Sequence, residues 1–99
     1  MFGLRLIRVE GVSMEPTLPD RSFAVFRATK NLRVGDIVLA KHPKYGTIIK
    51  AISKRAPDGF RLRGTSQSSV TEEEIGTVSA NQIEGRLAFT IRAKSAGQL

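Results

Sequence analysis

The sequence predicts a single globular domain with a mainly β fold, and three observations support this prediction. Short apolar runs rich in Val, Ile and Phe recur between turn signals, and none is long enough to favour a helix of about ten residues or more. Apolar residues make up 40% of the chain and charged residues 25%, which is the balance of a globular protein. A length of 99 residues fits one core. We therefore expect a single domain over residues 1–93, followed by a frayed tail over residues 94–99.

The predicted elements follow one another in a simple order. A turn of helix is expected at Ser13–Leu18, because Ser is a favoured N-cap and Pro is tolerated in a first turn. Later turn signals lie at Val34–Asp36, Lys44–Gly46 and Pro57–Gly59. These signals separate six predicted strands: Leu4–Glu10, Ser22–Arg27, Asp36–Lys41, Thr47–Lys54, Phe60–Arg63 and Gly85–Arg92.

Composition restricts the chemistry that the chain can carry. It has no cysteine and one histidine, so we expect no disulfide, no metal site and no cofactor. A net charge of +7 attracts anionic partners such as nucleic acid, a lipid surface or an acidic protein, with an ordinary basic surface as the alternative. Nucleic acid ranks last, because only 6% of the residues are aromatic and they form no stripe with basic residues.

The N-terminal apolar stretch does not read as a signal peptide, because Arg5 and Arg8 interrupt it. No segment approaches the roughly 20 apolar residues that a membrane-spanning helix needs. We expect a cytoplasmic protein, and peripheral contact with a membrane remains open.

Lys50 is unusual for a residue in a predicted strand. The period of two places it on the same face as Ile48 and Ile52, so its ammonium group would point at apolar surface. Burial disfavours the charged form of a lysine, and a neutral amine acts as a base. The alternative is a lysine whose head reaches water from an edge strand.

The common serine-hydrolase and nucleotide-binding patterns are absent. Gly11–Glu15 contains Ser13 but lacks the second glycine of a nucleophile elbow, and no Ser-x-x-Lys motif is present. His42 is the only histidine that a triad could use, and beside Pro43 it is interpreted as a solvated hairpin residue. Gly46–Lys50 lacks the second glycine of a phosphate-binding loop.

The segment Gly11–Leu18 resembles the nucleophile box of type I signal peptidases, G-x-S-M-x-P-T-L. Gly35–Val38 resembles the G-D-x-V entry to a strand in that family, and Ile48–Ile52 resembles the strand that bears its general-base lysine. Arg63-Gly64 and Ile83–Gly85 resemble the R-G and I-x-G motifs that come later in the sequences of that family. The separation of 37 positions between Ser13 and Lys50 is more similar to the soluble LexA-type self-cleaving proteases.

This resemblance implies a coiled antiparallel β structure and a serine endopeptidase. Ser13 would be the nucleophile and Lys50 its general base, and an acyl-enzyme would form on the serine. Because Gly11 replaces a serine that often supplies a hydroxyl donor, the oxyanion hole would be built from main-chain N–H groups, those of Ser13 and Val12. Met14 is interpreted as a core or pocket-lining side chain.

The chain departs from the signal-peptidase pattern between Gly64 and Gly76. Ser69 falls where the family has a serine that hydrogen-bonds the lysine, so we expect it to orient Lys50. Thr71 and Glu73 replace the family's aspartate and arginine. The acidic run Glu72–Glu74 is interpreted as a solvated loop.

The leading hypothesis is that the protease is a processing enzyme that cuts a partner or precursor protein, similar to nickel superoxide dismutase maturation proteases. Two other functions stay open. The alternative is a LexA-like regulatory or dimerisation module without catalysis. The oligomeric state is not predicted, and a dimer is one option. A basic nucleic-acid-binding β domain is the remaining alternative.

Overall fold

The structure is a computed structural model that describes residues 3–11, 13–65 and 71–91. A four-residue helix, α1 (Glu72–Ile75), and a short 3-10 turn at Ala80–Gln82 accompany the strands. The strands are β1 (Leu4–Arg8), β2 (Phe23–Arg27), β3 (Ile37–His42), β4 (Gly46–Ala56), β5 (Gly59–Arg63), β6 (Thr77–Val78) and β7 (Ile83–Ile91). The prediction of a mainly β fold is therefore confirmed.

The strands form one antiparallel sheet in the order β1-β2-β7-β3-β4-β5-β6. The long strand β7 pairs with both β2 and β3, and the register shifts between Val25 and Phe26 and again between Leu39 and Ala40. Such irregularities increase the local twist and bend of a sheet. They let the sheet coil, so that β1 and β4 can lie on two sides of one cleft.

Two clusters of buried side chains lie on opposite faces of the sheet. Strand β3 contributes Leu39 to one face and its neighbours Val38 and Ala40 to the other, as the period of two requires. The hairpin cluster consists of Leu32, Val38, Ala40, Ile52, Phe60, Leu62, Ile75 and Val78. The serine-turn cluster consists of Val9, Met14, Leu18, Ala24, Phe26 and Leu39.

All six predicted strands are present, although their ends differ by a few residues. Strand β6 was not predicted, because two residues are too few for a pattern to show. A turn that contains a cis Glu15–Pro16 peptide bond forms at the serine box, where the Leu18 N–H donates to the Met14 carbonyl at 2.7 Å. The predicted helical turn is wrong, because no residue of Ser13–Leu18 is helical. The predicted tail lies outside the described residues.

The interpretation of the acidic run as a solvated loop is wrong, because these residues form α1. Thr71 caps the helix: its hydroxyl accepts the Glu74 N–H at 3.2 Å, and its own N–H donates to the Glu74 carboxylate at 3.1 Å. The backbone hydrogen bond from Thr71 lowers the pKa of Glu74. Glu72 reaches the Arg61 guanidinium, with 3.7 Å between Nε and Oε2.

No helix in the described ranges is long and apolar enough to cross a bilayer.

Candidate active site

Lys50 lies where the strand pattern predicts, on a buried apolar face of the sheet. It pairs with Val38 across the β3–β4 hairpin, and its neighbours on the same face of β4 are Ile48 and Ile52. Only 5% of its surface is exposed. Because burial penalises the ammonium form, the pKa of Lys50 is lowered from its ordinary value. The Lys50 amine makes no hydrogen bond to another described residue, and desolvation is the cause of the lowered pKa.

Ser13 begins the turn that leads from β1 towards β2. The next residue, Met14, is only 1% exposed, and Leu18 is fully buried. Both pack in the serine-turn cluster, against which Ile49 and Ala51 of β4 also pack. The interpretation of Met14 as a core side chain is confirmed. Ser13 itself is half-buried and lines the cleft described below.

Hydrogen bonds close the base of the loop that carries the serine. The Val9 N–H donates to the Ser22 carbonyl, and the Arg21 N–H donates to the Val9 carbonyl, each at 2.7 Å. Nearer the serine, the Gly11 N–H donates to the Asp20 carboxylate at 2.9 Å. Gly11 has a φ of +91°, a conformation that glycine adopts more readily than other residues. The loop is therefore held at both ends.

Thr65 ties the serine turn to the sheet. Its N–H donates to the Ser13 carbonyl at 2.9 Å, and its hydroxyl donates to the Glu15 carbonyl at 3.0 Å. Thr65 follows Arg63, which pairs with Ala51 directly after Lys50. Thr65 lies in the segment after Gly64 that departs from the signal-peptidase pattern, and its role was not predicted from the sequence. The one signal in the sequence was its position just after β5, since a residue there follows the strand that pairs with the lysine strand.

Ser13 and Lys50 line the same cleft. Its volume is about 310 Å³, and it separates the end of β1 from the first half of β4. The hydroxyl and the amine are not hydrogen-bonded to each other in this structure. Catalytic hydrogen bonds are often long before a substrate binds. The lining residues are Ile7, Arg8, Val9, Glu10, Gly11, Ser13, Met14, Thr47, Ile48, Ile49 and Lys50.

Two expected supporting residues, Val12 and Ser69, lie outside the described residues. Their roles in holding an oxyanion and orienting Lys50 stay predictions. In the ranges that the structure describes, no group of three His, Asp or Glu side chains could hold a metal ion.

His42 does not line the cleft, and it is bound into the hairpin rather than solvated. Its Nδ1 accepts the N–H groups of Lys44 and Tyr45 at 3.0 and 3.2 Å. The ring is therefore protonated on Nε2, which donates to the Ile75 carbonyl at 2.8 Å. The interpretation as a solvated residue is corrected: His42 joins the β3–β4 turn to the end of α1.

Replacing His42 with Ala is expected to lower the free energy of unfolding by about 1–3 kcal/mol, because three backbone groups lose their partner. Urea denaturation measures this loss. Lys44→Ala, at the exposed neighbouring position, should change stability by less than about 0.5 kcal/mol. Any peptide cleavage by folded protein should persist in His42→Ala. Loss of cleavage without loss of stability would instead make His42 a catalytic residue.

Comparison with known proteins identifies the class to which this fold and cleft belong. The Peptidase S24-like family model matches residues 3–88, which is most of the chain. The protein therefore belongs to the Peptidase S24-like family, and the coiled antiparallel sheet is the LexA-like fold that the sequence resemblance implied. No curated protein matches the chain.

Proposed function

We propose that this protein is a serine endopeptidase that uses Ser13 and Lys50 to cleave a partner or precursor protein. The observation that carries the proposal is that a serine and a buried lysine with a lowered pKa line one cleft. Membership of a peptidase-like family supports the same function.

The environment of Lys50 suits a general base. An ammonium group cannot accept a proton, so the lysine must be neutral before it can activate a hydroxyl. Burial between Ile48 and Ile52 favours that neutral form. Cleavage should therefore increase with pH as Lys50 loses its proton.

A free strand edge supports binding of an extended substrate. Among the described strands, Gly46–Lys50 of β4 pair only with β3, since pairing with β5 begins at Ala51. This edge and the segment Ile7–Gly11 are the two walls of the cleft. A peptide can add to such an edge through main-chain hydrogen bonds. Apolar wall residues and a volume of about 310 Å³ favour small apolar side chains beside the serine.

In the reaction that we propose, one amine first takes a proton and then returns it, in acylation and again in deacylation. Lys50 Nζ takes the proton from Ser13 Oγ, which attacks the peptide carbonyl carbon and forms a tetrahedral intermediate. The C–N bond breaks as the protonated lysine returns the proton to the leaving amine. An acyl-enzyme remains on Ser13. Lys50 next takes a proton from a water molecule, whose oxygen attacks the ester carbonyl carbon. The C–O bond to Ser13 then breaks, and the protonated lysine returns the proton to Ser13 Oγ, which frees the serine and releases the acid product.

The test is to incubate the purified protein with a library of peptides and to map newly formed termini by mass spectrometry. The wild-type protein should produce cuts next to small apolar residues, and Ser13→Ala should produce none, because it lacks the attacking oxygen. Thr17→Ala removes an exposed hydroxyl from the same turn and serves as the matched control. Equal cleavage by the wild-type and Ser13→Ala forms would disprove the proposal.

A further inference from the structure

An apolar face of β1, β2 and β7 is uncovered on the side of the sheet away from the serine-turn cluster. Its exposed members are large, and their exposed fractions range from 37% for Phe23 to 62% for Leu6. Surface apolar residues are usually scattered, so a contiguous group of them indicates a contact surface. The outer face, as we call it, consists of the exposed residues Leu4, Leu6, Phe23, Phe89 and Ile91 around Val25, which is only 9% exposed.

The strand register makes these side chains neighbours. Val25 pairs with Leu6 on one side and with Phe89 on the other, so three apolar residues form a row across three strands. A second row is formed by Phe23 and Ile91. Residues that alternate with them, such as Ala24 and Phe26, point into the serine-turn cluster. The apolar residues of the outer face therefore cannot be part of that core.

Arginines flank the apolar rows on the same face. Arg8 pairs with Phe23, and Arg27 pairs with Leu4, so each arginine lies directly beside an apolar residue of the outer face. Both are exposed. No described strand residue of this face is acidic, although Arg8 is 3.4 Å from Glu10, just after β1. The chain as a whole carries a net charge of +7.

We propose that the outer face binds the surface of an anionic lipid bilayer. Apolar side chains would enter the boundary between headgroups and acyl chains, and the arginines would contact anionic headgroups. Charge complementarity favours this partner over a second copy of the chain, which would present the same arginines. Arg8 also lines the cleft, so the bilayer would lie beside the candidate active site.

The test is co-sedimentation of the purified protein with vesicles of phosphatidylglycerol and phosphatidylcholine in equal parts. Binding is expected at low salt, and it should weaken at high salt or with phosphatidylcholine alone. The double variant Leu6→Ser and Phe89→Ser should bind at least about tenfold more weakly, because two apolar side chains no longer enter the boundary. Arg27→Gln should weaken binding to the anionic vesicles only.

Val34→Ser is the matched control, since Val34 is 58% exposed but lies in the loop before β3. It should bind vesicles as the wild-type protein does. The measurement is repeated with Ser13→Ala, which removes the proposed nucleophile but leaves the outer face unchanged. This variant should bind vesicles as the wild-type protein does, so lipid binding is tested independently of peptide cleavage. Absence of vesicle binding would overturn the proposal. Dimerisation that the double variant abolishes, without vesicle binding, would assign the face to a second copy.

Discussion

Replacing Lys50 with Met is expected to lower the rate of peptide cleavage by about 10²–10⁴-fold and to stabilise the fold. Met has a similar length but no basic nitrogen, so Ser13 loses the group that takes its proton. The same change removes a buried amine from an apolar face, which should raise the free energy of unfolding at neutral pH by about 1–3 kcal/mol. Cleavage kinetics and urea denaturation measure the two effects.

The stabilisation should depend on pH with a definite sign. Because burial lowers the pKa of Lys50 in the folded protein, the unfolded chain binds more protons between that lowered pKa and the ordinary value of 10.5. The wild-type protein therefore gains stability as pH rises through this window, and the variant lacks this gain. The difference between the two should be largest below the folded pKa and should shrink towards pH 10.5.

Lys54→Met provides the matched control, since Lys54 is an exposed lysine of the same strand. It should leave the cleavage rate unchanged and alter stability by less than about 0.5 kcal/mol. If Lys50→Met cleaved peptides as fast as the wild-type protein, Lys50 would not be the general base. If it were less stable at neutral pH, the amine would have a stabilising partner.

Replacing Gly59 with Ala is expected to lower the free energy of unfolding by about 2–4 kcal/mol. A Cβ atom at Gly59 would lie 2.8 Å from the Val78 carbonyl carbon and 3.0 Å from the Ser79 Cα. These are backbone atoms, so they cannot rotate away as a side chain would. The pairing of β5 with β6 must shift, and Phe60 and Val78 of the hairpin cluster move with it.

Gly46→Ala separates this crowding from backbone strain. Gly46 has a φ of +73° but nothing within 4 Å of an added Cβ, so only the conformational cost of about 1 kcal/mol is expected. Thermal and urea denaturation of both variants provide the comparison. If both variants lost the same free energy of unfolding, the contact between an added Cβ atom at Gly59 and the Val78 backbone would not be the cause of the destabilisation.

Substitutions at the cleft are expected to differ in their effects on peptide cleavage and on the stability of the fold. The Lys50 amine is buried, so its replacement by an apolar side chain is expected to remove a cost in stability. Thr65, in contrast, joins the serine turn to the end of β5.

The sequence alone determined the local features of this protein. Alternating apolar residues predicted six of the seven strands, and the same period placed Lys50 on the apolar face where it lies buried. The serine box predicted both the turn and the family. These features depend on contacts between residues close in the chain, which is why a pattern of neighbours is enough to reveal them.

The tertiary structure alone decided what depends on strand order and register. It placed the serine turn beside β4, joined Thr65 to that turn, tied His42 to the end of α1, and aligned apolar residues of three strands on the outer face. Each of these contacts joins segments far apart in the chain. Their formation depends on the bulges and coiling of the whole sheet, which no local pattern in the sequence specifies.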